Sequence, residues 1–339
     1  MLLHVCYATD NNFGLQTAVS IISLAENAGG HPICVHLLDA GLSEDSNKKI
    51  ESLCNDLHIQ LARYDIQPYL SLIRKTGQKS WGDFPSHATW ARLFLPEILP
   101  NEVEKVLYLD GDVIAANDFS SLFDVALKGN TIAAVEDCVA GRYKRKIGLS
   151  ASSRYINAGV VLFNLTAWRK AYNPNWPQRY LNGHVRYPMA DQDVMNLMFE
   201  EQCLYLPLEF NYSSWFRALD IQPLKHLLQD NHFCRHLQAD VDRCEKEAVF
   251  IHYNSCSLLI RPWYQNATDP ATHIWIGYYQ KSPWHDPLMR EPAHLSPNEQ
   301  KDRALYRTVG KCLFGPVHQW KARLNALRGK ASVQSQERN

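Results

Sequence analysis

Apolar positions recur along the first half of the chain with two different periods. Short apolar runs at 2–8, 33–38 and 59–64 have the length and residue types of strands. Between them Ala18, Ile21, Ile22 and Ala25, and then Ile50, Leu53, Cys54 and Leu57, follow the three- and four-residue spacing of helices that bury one face. Ser43 with Glu44 and Asp45 supplies an N-cap and an acidic first turn for the second of these. A helix holding Trp90, Leu93 and Phe94 precedes a fourth strand at 105–109, which runs straight into Asp110-Gly111-Asp112. Further strands are expected at 131–135, 159–164 and 248–251, and a helix opens at Ala190-Asp191-Gln192-Asp193 and runs through Met198. Strands alternating with helices predict an α/β fold with a parallel sheet covered on both faces. Ligands of such sheets gather at the carboxyl ends of the strands.

The last part of the chain changes character near Pro262-Trp263. Ser296-Pro297-Asn298-Glu299 combines an N-cap serine, proline at the first helical position and glutamate at the third, so a helix is expected through Leu305, Val309 and Cys312. Gly315-Pro316 is expected to break it. Val317, Trp320, Leu324 and Leu327 then recur beside Lys321, Arg323, Arg328 and Lys330, the pattern of a basic amphipathic helix. Residues 296–339 hold nine Lys or Arg against three acidic residues, although the whole chain balances 35 against 35. The chain therefore offers no global field for nucleic acid, while its tail is suited to an anionic surface.

Nine cysteines, an odd number with no C-x-x-C pair, favour reduced thiols in the cytoplasm over a disulfide framework or zinc cluster. The amino terminus enters a strand-like segment without the basic and apolar regions of a signal peptide, so export is not expected. No apolar run reaches the roughly 18 residues of a membrane span, so any membrane association is expected to be peripheral.

Twenty aspartates in 339 residues produce about one Asp-x-Asp pair by chance, and the chain has three. Asp240-Val241-Asp242 falls in a polar stretch read as a loop, and Asp191-Gln192-Asp193 opens a helix, where carboxylates also serve as caps. Only Asp110-Gly111-Asp112 ends an apolar strand in mid-fold. Two carboxylates so placed can hold one hard cation and leave positions open for phosphate oxygens; the same residues also serve as ordinary turn formers. Asp10 and Asn12 follow the first strand, where a nucleotide-binding loop or a plain N-cap belongs. His252 ends a late strand, as a third metal ligand or as a hydrogen-bonded core imidazole.

Together Tyr7-Ala-Thr-Asp-Asn11, Ala91-Arg-Leu-Phe94, Val106-Leu-Tyr-Leu-Asp-Gly-Asp-Val113, Asn157-Ala-Gly-Val160, Asp191-Gln-Asp-Val194 and Ile251-His-Tyr253 resemble glycosyltransferase family eight. That family comprises retaining transferases and includes bacterial lipopolysaccharide glucosyl- and galactosyltransferases and, more distantly, glycogenin. The resemblance implies a GT-A-type, Rossmann-like mixed sheet over residues 1–265 with a helical, basic, membrane-associating extension over 266–339. It implies UDP-glucose or UDP-galactose as donor, a lipopolysaccharide core as acceptor, and Mn2+, with Mg2+ as the alternative, held by Asp110, Asp112 and His252. Ala8, Asp10 and Asn12 would hold the nucleoside. Arg92, Asp137, Asn157 and Asp191 would surround the donor sugar, with Gln192 beneath its anomeric carbon.

One stretch departs from the family pattern His-x-x-Gly-x-x-Lys-Pro-Trp. Here His252 is separated from Arg261-Pro262-Trp263 by a loop three residues longer, without the glycine and with arginine in place of the lysine. Arginine still supplies a charge to a diphosphate, as a planar fork rather than a point donor. Two other readings fit parts of the pattern: a sugar-nucleotide-binding subunit without turnover, and a haloacid-dehalogenase-like phosphohydrolase. The latter places its Asp-x-Asp on the first strand of the fold.

Overall fold

The computed structural model describes residues 1–78, 87–181, 186–285 and 291–336, with side chains in the last stretch through Lys321. Ten strands are present among them: β1 (Leu3–Thr9), β2 (Ile33–Asp39), β3 (Gln60–Asp65), β4 (Lys105–Leu109), β5 (Val113–Ala115), β6 (Ile132–Glu136), β7 (Ile156–Asn164), β8 (Cys203–Leu206), β9 (Tyr212–Ser213) and β10 (Phe250–His252). Seven form one sheet in the order β3-β2-β1-β4-β7-β6-β8, and β5, β10 and β9 form a second, smaller one. The first four run parallel, whereas β7 lies antiparallel to both β4 and β6. That reversal brings the start of β7 beside the carboxyl end of β4, and the Asp110 N–H donates to the Gly159 carbonyl at 2.9 Å.

Strand β4 shows why its sequence is apolar throughout. Leu107 and Leu109 belong to the core on one face of the sheet, Val106 and Tyr108 to the core on the other, and all four have no exposed surface. Alternate residues point to opposite faces, so a doubly covered strand needs apolar side chains at every position. Helix Gly14–Glu26 buries Ala18, Ile21 and Ile22 against the sheet. Helix Glu44–Asp56 starts where Ser43 Oγ accepts the Ser46 N–H at 3.1 Å.

Three local expectations are corrected. Trp90, Leu93 and Phe94 lie on a 3-10 helix, Ala88–Phe94, before the short α-helix Leu95–Ile98. Pro96 lacks the N–H that would continue an α-helical ladder back to Arg92. Asp240 and Asp242 are not in a loop; they lie on helix Gln238–Glu247, where Asp240 accepts the Leu237 N–H at 2.8 Å. The C-terminal helix does not break at Gly315-Pro316. Its break is at Gly310, with φ 74°, and Pro316 lies inside the helical span Pro297–Gln336. Gly315 is instead a packing position, because a Cβ there would collide with the Pro223 carbonyl of helix Ile221–Leu228. The start of the span is the expected one, with Ser296 and Glu299 exchanging hydrogen bonds between side chain and backbone.

Residues beyond 265 share the main core. Trp275, Tyr279 and Phe314 are buried in the same cluster as Val5 and Leu107. Trp320 is 60% exposed, and the side chains of Arg323, Leu324, Leu327, Arg328 and Lys330 lie outside the described residues. No helix among the described residues is long and apolar enough to cross a membrane. All nine cysteines are free thiols.

Candidate active site

The carboxyl end of β4 delivers Asp110, and the chain turns through Gly111 and Asp112 into β5. Strand β10 pairs antiparallel with β5, with His252 opposite Val113, so the imidazole arrives beside Asp112. His252 Nε2 lies 3.2 Å from Asp112 Oδ1, and one ligand atom each from Asp110, Asp112 and His252 fall within 4.8 Å of one another. Gly159 makes this possible, since a Cβ there would occupy the imidazole's place. The other ring nitrogen, Nδ1, is 3.0 Å from Asn211 Oδ1, which fixes the ring and leaves Nε2 facing the carboxylates.

Two carboxylates and an imidazole are a donor set suited to Mn2+ or Mg2+. The electrostatics of the protein alone agree with that fit. Burial raises the Asp110 carboxyl above its ordinary range, with Asp112 adding to the effect and Arg92 opposing it. Burial pushes Asp112 the same way, but the charge and hydrogen bond of His252, with help from Arg261, hold it below the usual range. Neighbouring carboxylates in one buried pocket repel until a cation joins them.

Arg92 organises the other side of the cluster. Only 1% exposed, it stacks 4.2 Å over the Tyr108 ring, donates Nη2 to Asp110 Oδ1 at 2.7 Å and donates Nη1 to the Ala158 carbonyl. Its Nε sits 2.9 Å from both Asp191 Oδ2 and the Thr89 carbonyl, and the N–H is aimed at the carbonyl. Asp191 Oδ2 is therefore held by charge and receives no donated hydrogen from the protein. Its partner oxygen accepts from Thr89 Oγ1 at 2.5 Å.

A hydrogen-bonded chain runs on from the imidazole. Asn211 donates to Asn157 Oδ1 at 2.9 Å, Asn157 donates to Asp137 Oδ2 at 3.0 Å, and Gln192 Nε2 donates to the same oxygen at 3.2 Å. Gln192 Oε1 accepts the Ala158 N–H at 2.9 Å, which orients the amide. Asp137, Asn157, Gln192, Asn211 and His252 thus come from five separate segments, and Asn211 is the one the sequence reading missed. It stands immediately before a two-residue strand, with no motif around it to single it out.

Asp10 accepts the Asn12 and Phe13 N–H groups at 2.9 and 3.3 Å, forming a tight turn after β1. Ala8 lies on β1 itself, two residues before Asp10. Phe13 joins this turn to the rest: its ring borders Gly111 and meets Trp263 edge-on at 6.0 Å. Arg261 lies over the Trp263 ring at 5.1 Å. The first loop, the Asp110–Asp112 turn and the Arg261-Pro262-Trp263 segment therefore converge. A separate surface cleft, lined in part by Asp220, His236 and Lys311, is elsewhere and lacks this convergence of carboxylates.

Comparison with known proteins agrees with the geometry. The chain is 27% identical over 294 residues to the lipopolysaccharide 1,2-glucosyltransferase of Escherichia coli K12, covering 85% of this chain and 81% of the relative. It is 24% identical to the lipopolysaccharide 1,3-galactosyltransferase of Salmonella typhimurium, again covering 85% and 81%. The crystal structure of galactosyltransferase LgtC in complex with donor and acceptor sugar analogs superposes with a TM-score of 0.64 at 24% identity, covering 85% of this chain and 98% of that one. This places the mixed sheet in the GT-A fold. The Asp-x-Asp follows the fourth strand rather than the first, and nothing supports a phosphohydrolase. The Glycosyl transferase family 8 model matches residues 4–267, and the chain belongs to that family of glycosyltransferases.

Proposed function

We propose that this enzyme transfers glucose or galactose, with retention, from a UDP-sugar to a sugar of a lipopolysaccharide core. The observation that carries the reading is the cluster of Asp110, Asp112 and His252 at the meeting point of both sheets, with Arg92 tying it to Asp191. The acceptor class rests on the lipopolysaccharide transferases among the relatives.

In this reading Asp110, Asp112 and His252 hold the cation. When bound, manganese neutralises the diphosphate and acts as Lewis acid on the leaving group. Ala8, Asp10 and Asn12 line the nucleoside, and Arg261 reaches the diphosphate with its guanidinium. Asp191, with one oxygen held by Thr89 and the other beside Arg92 Nε, stands in the wall around the donor sugar. Asn157 and Asp137 complete the wall around the hexose. Gln192, oriented through Ala158 and Asp137, presents its amide beneath the anomeric carbon, where positive charge develops in a same-face substitution. Residues 1–265 form the catalytic unit. Residues 266–339 extend it to the cytoplasmic face of the inner membrane, where Trp320 and the basic tail meet anionic lipid.

The deciding experiment is UDP release from UDP-glucose and UDP-galactose against truncated lipopolysaccharide cores, with Mn2+ and with chelator. Metal-dependent release with one donor, rising on addition of one core, is the expected result. Donor binding without release under any condition would establish a binding subunit instead.

A further inference from the structure

A second cluster of metal-ligating side chains lies at the other end of the sheet. Strands β1 and β2 pair in parallel with His4 opposite Cys34 and Cys6 opposite His36. Side chains alternate along a strand, so His4, Cys34 and His36 emerge on one face. They lie near the strand starts, whereas Asp10 follows the end of β1; six residues of strand separate the two levels by about 20 Å. One nitrogen of each imidazole and the Cys34 sulfur fall within 4.8 Å of one another. We propose that His4, Cys34 and His36 form a second metal site that binds one Zn2+ ion and ties β1 to β2.

Three observations favour coordination over a plain hydrogen-bonded pair. First, the facing atoms are defined: His4 Nδ1 and His36 Nε2 stand 2.9 Å apart, and the opposite nitrogen of His36 is engaged at 3.0 Å by Tyr64 Oη from β3. An outer partner of that kind fixes the tautomer of a ligating histidine. Second, the separation of the two facing nitrogens is close to that needed. In a tetrahedral zinc site the nitrogen and sulfur ligands stand about 3.3 to 3.7 Å apart, and a small rotation of the partly exposed His4 opens the pair that far. Third, two imidazoles and a thiolate suit zinc, whereas the oxygen-rich cluster of Asp110, Asp112 and His252 suits a harder cation.

The balance of binding is simple. Cys34 Sγ–H loses one proton to solvent as the sulfur–zinc bond forms. The His4 proton resides on Nε2 so that Nδ1 donates its lone pair, and a water completes the tetrahedron on the exposed side. One proton is released per ion bound.

A cobalt titration of the full-length protein, stripped of metal, tests the site, because a cobalt–thiolate bond has a charge-transfer band that oxygen and imidazole ligands do not give. The expected result is one such band saturating at one Co2+ per chain, discharged by Zn2+, abolished in Cys34→Ser and retained in Asp112→Asn. Absence of the band in the unaltered protein, or its persistence in a folded C34S, overturns the proposal. If C34S does not fold, His4→Gln decides: zinc affinity reduced by about tenfold or more supports the site, and an unchanged affinity overturns it.

Discussion

Two buried arginines carry positive charge into the molecule and are answered in different ways. Arg217, 6% exposed, is satisfied wholly by protein: Nε and Nη2 grip both oxygens of Asp269 at 2.9 and 2.7 Å, Nη1 donates to the Tyr212 carbonyl, and Nη2 also reaches Ser214 Oγ and the His252 carbonyl. Asp269 also accepts the Ala271 N–H at 3.0 Å and Ser214 Oγ at 3.4 Å. Arg92 is as deeply buried, yet one of its two carboxylates is not closed off: Asp110 keeps a quarter of its side chain exposed, whereas Asp191 is buried. In both cases burial opposes the guanidinium charge and the carboxylates more than restore it. The difference lies in what is left over. A closed pair locks segments together, while an open pair keeps acceptors pointing at a space another molecule can fill.

The largest effect should come from the open side. Asp112→Asn or His252→Ala removes a ligand of the proposed cation but leaves Arg92 and Arg217 paired, so the fold should persist. A loss of several kcal/mol of transition-state stabilisation corresponds to a fall in metal-dependent UDP release of about 10³-fold. Near-normal turnover by either variant in chelator would erase the distinction between the two arginines.

The closed side should show the reverse pattern. Asp269→Ala leaves Arg217 buried without its counter-charge, which costs about 3 kcal/mol, at the low end for such pairs because the Tyr212 and His252 carbonyls remain as acceptors. Urea denaturation should report that loss, while release per folded molecule should stay close to that of the parent. If activity collapses and stability does not, Asp269 belongs to the reaction and the comparison is wrong.

A smaller effect is expected at Arg261, which lies between the two regions, stacked on Trp263 and reaching Ser255 Oγ only at 3.5 Å. Arg261→Ala should weaken UDP and UDP-sugar binding alike, by about tenfold, the value of a modest charge-assisted hydrogen bond. Calorimetry showing unchanged UDP affinity removes Arg261 from the diphosphate.

How much of this the sequence disclosed depended on the range of the signal. Asp110, Asp112 and His252 were legible because each ends an apolar strand long enough to recognise or sits in an ordered motif. Strands β5 and β9, three and two residues long, have no period to detect, yet β5 is what brings His252 to Asp112. The antiparallel β7 was equally hidden, since apolar runs carry no direction. Arg217 and Asp269 are 52 positions apart and exposed charges look the same in sequence as buried ones. The glycines were read by their usual role as breakers: at Gly315 the decisive fact was the close approach of Pro223, which only the fold reveals.

The last region to set against these is the end of the chain, which is expected to matter least to stability and most to location. Truncation after Gly315 keeps Phe314, buried in the main core, and the contact of Gly315 with Pro223. It also keeps Tyr306 donating to the Ala218 carbonyl at 2.8 Å and Lys311 paired with Asp220 at 2.9 Å. What it removes begins with Pro316 and includes Trp320, Lys321, Arg323, Arg328 and Lys330. Each cation near an anionic bilayer contributes about 1 kcal/mol, and an interfacial tryptophan adds to them, so loss of the segment should release the protein from the membrane. The cut also removes His318, whose ring lies 5.4 Å from that of Phe314, so folding stability should fall by about 1 kcal/mol without loss of the fold. The truncated enzyme should release UDP in solution as the parent does, but no longer sediment with anionic vesicles at low salt. A truncated protein that unfolds, or a full-length one that ignores such vesicles, would show that the segment packs on the protein and that the tail is as closed a region as Arg217.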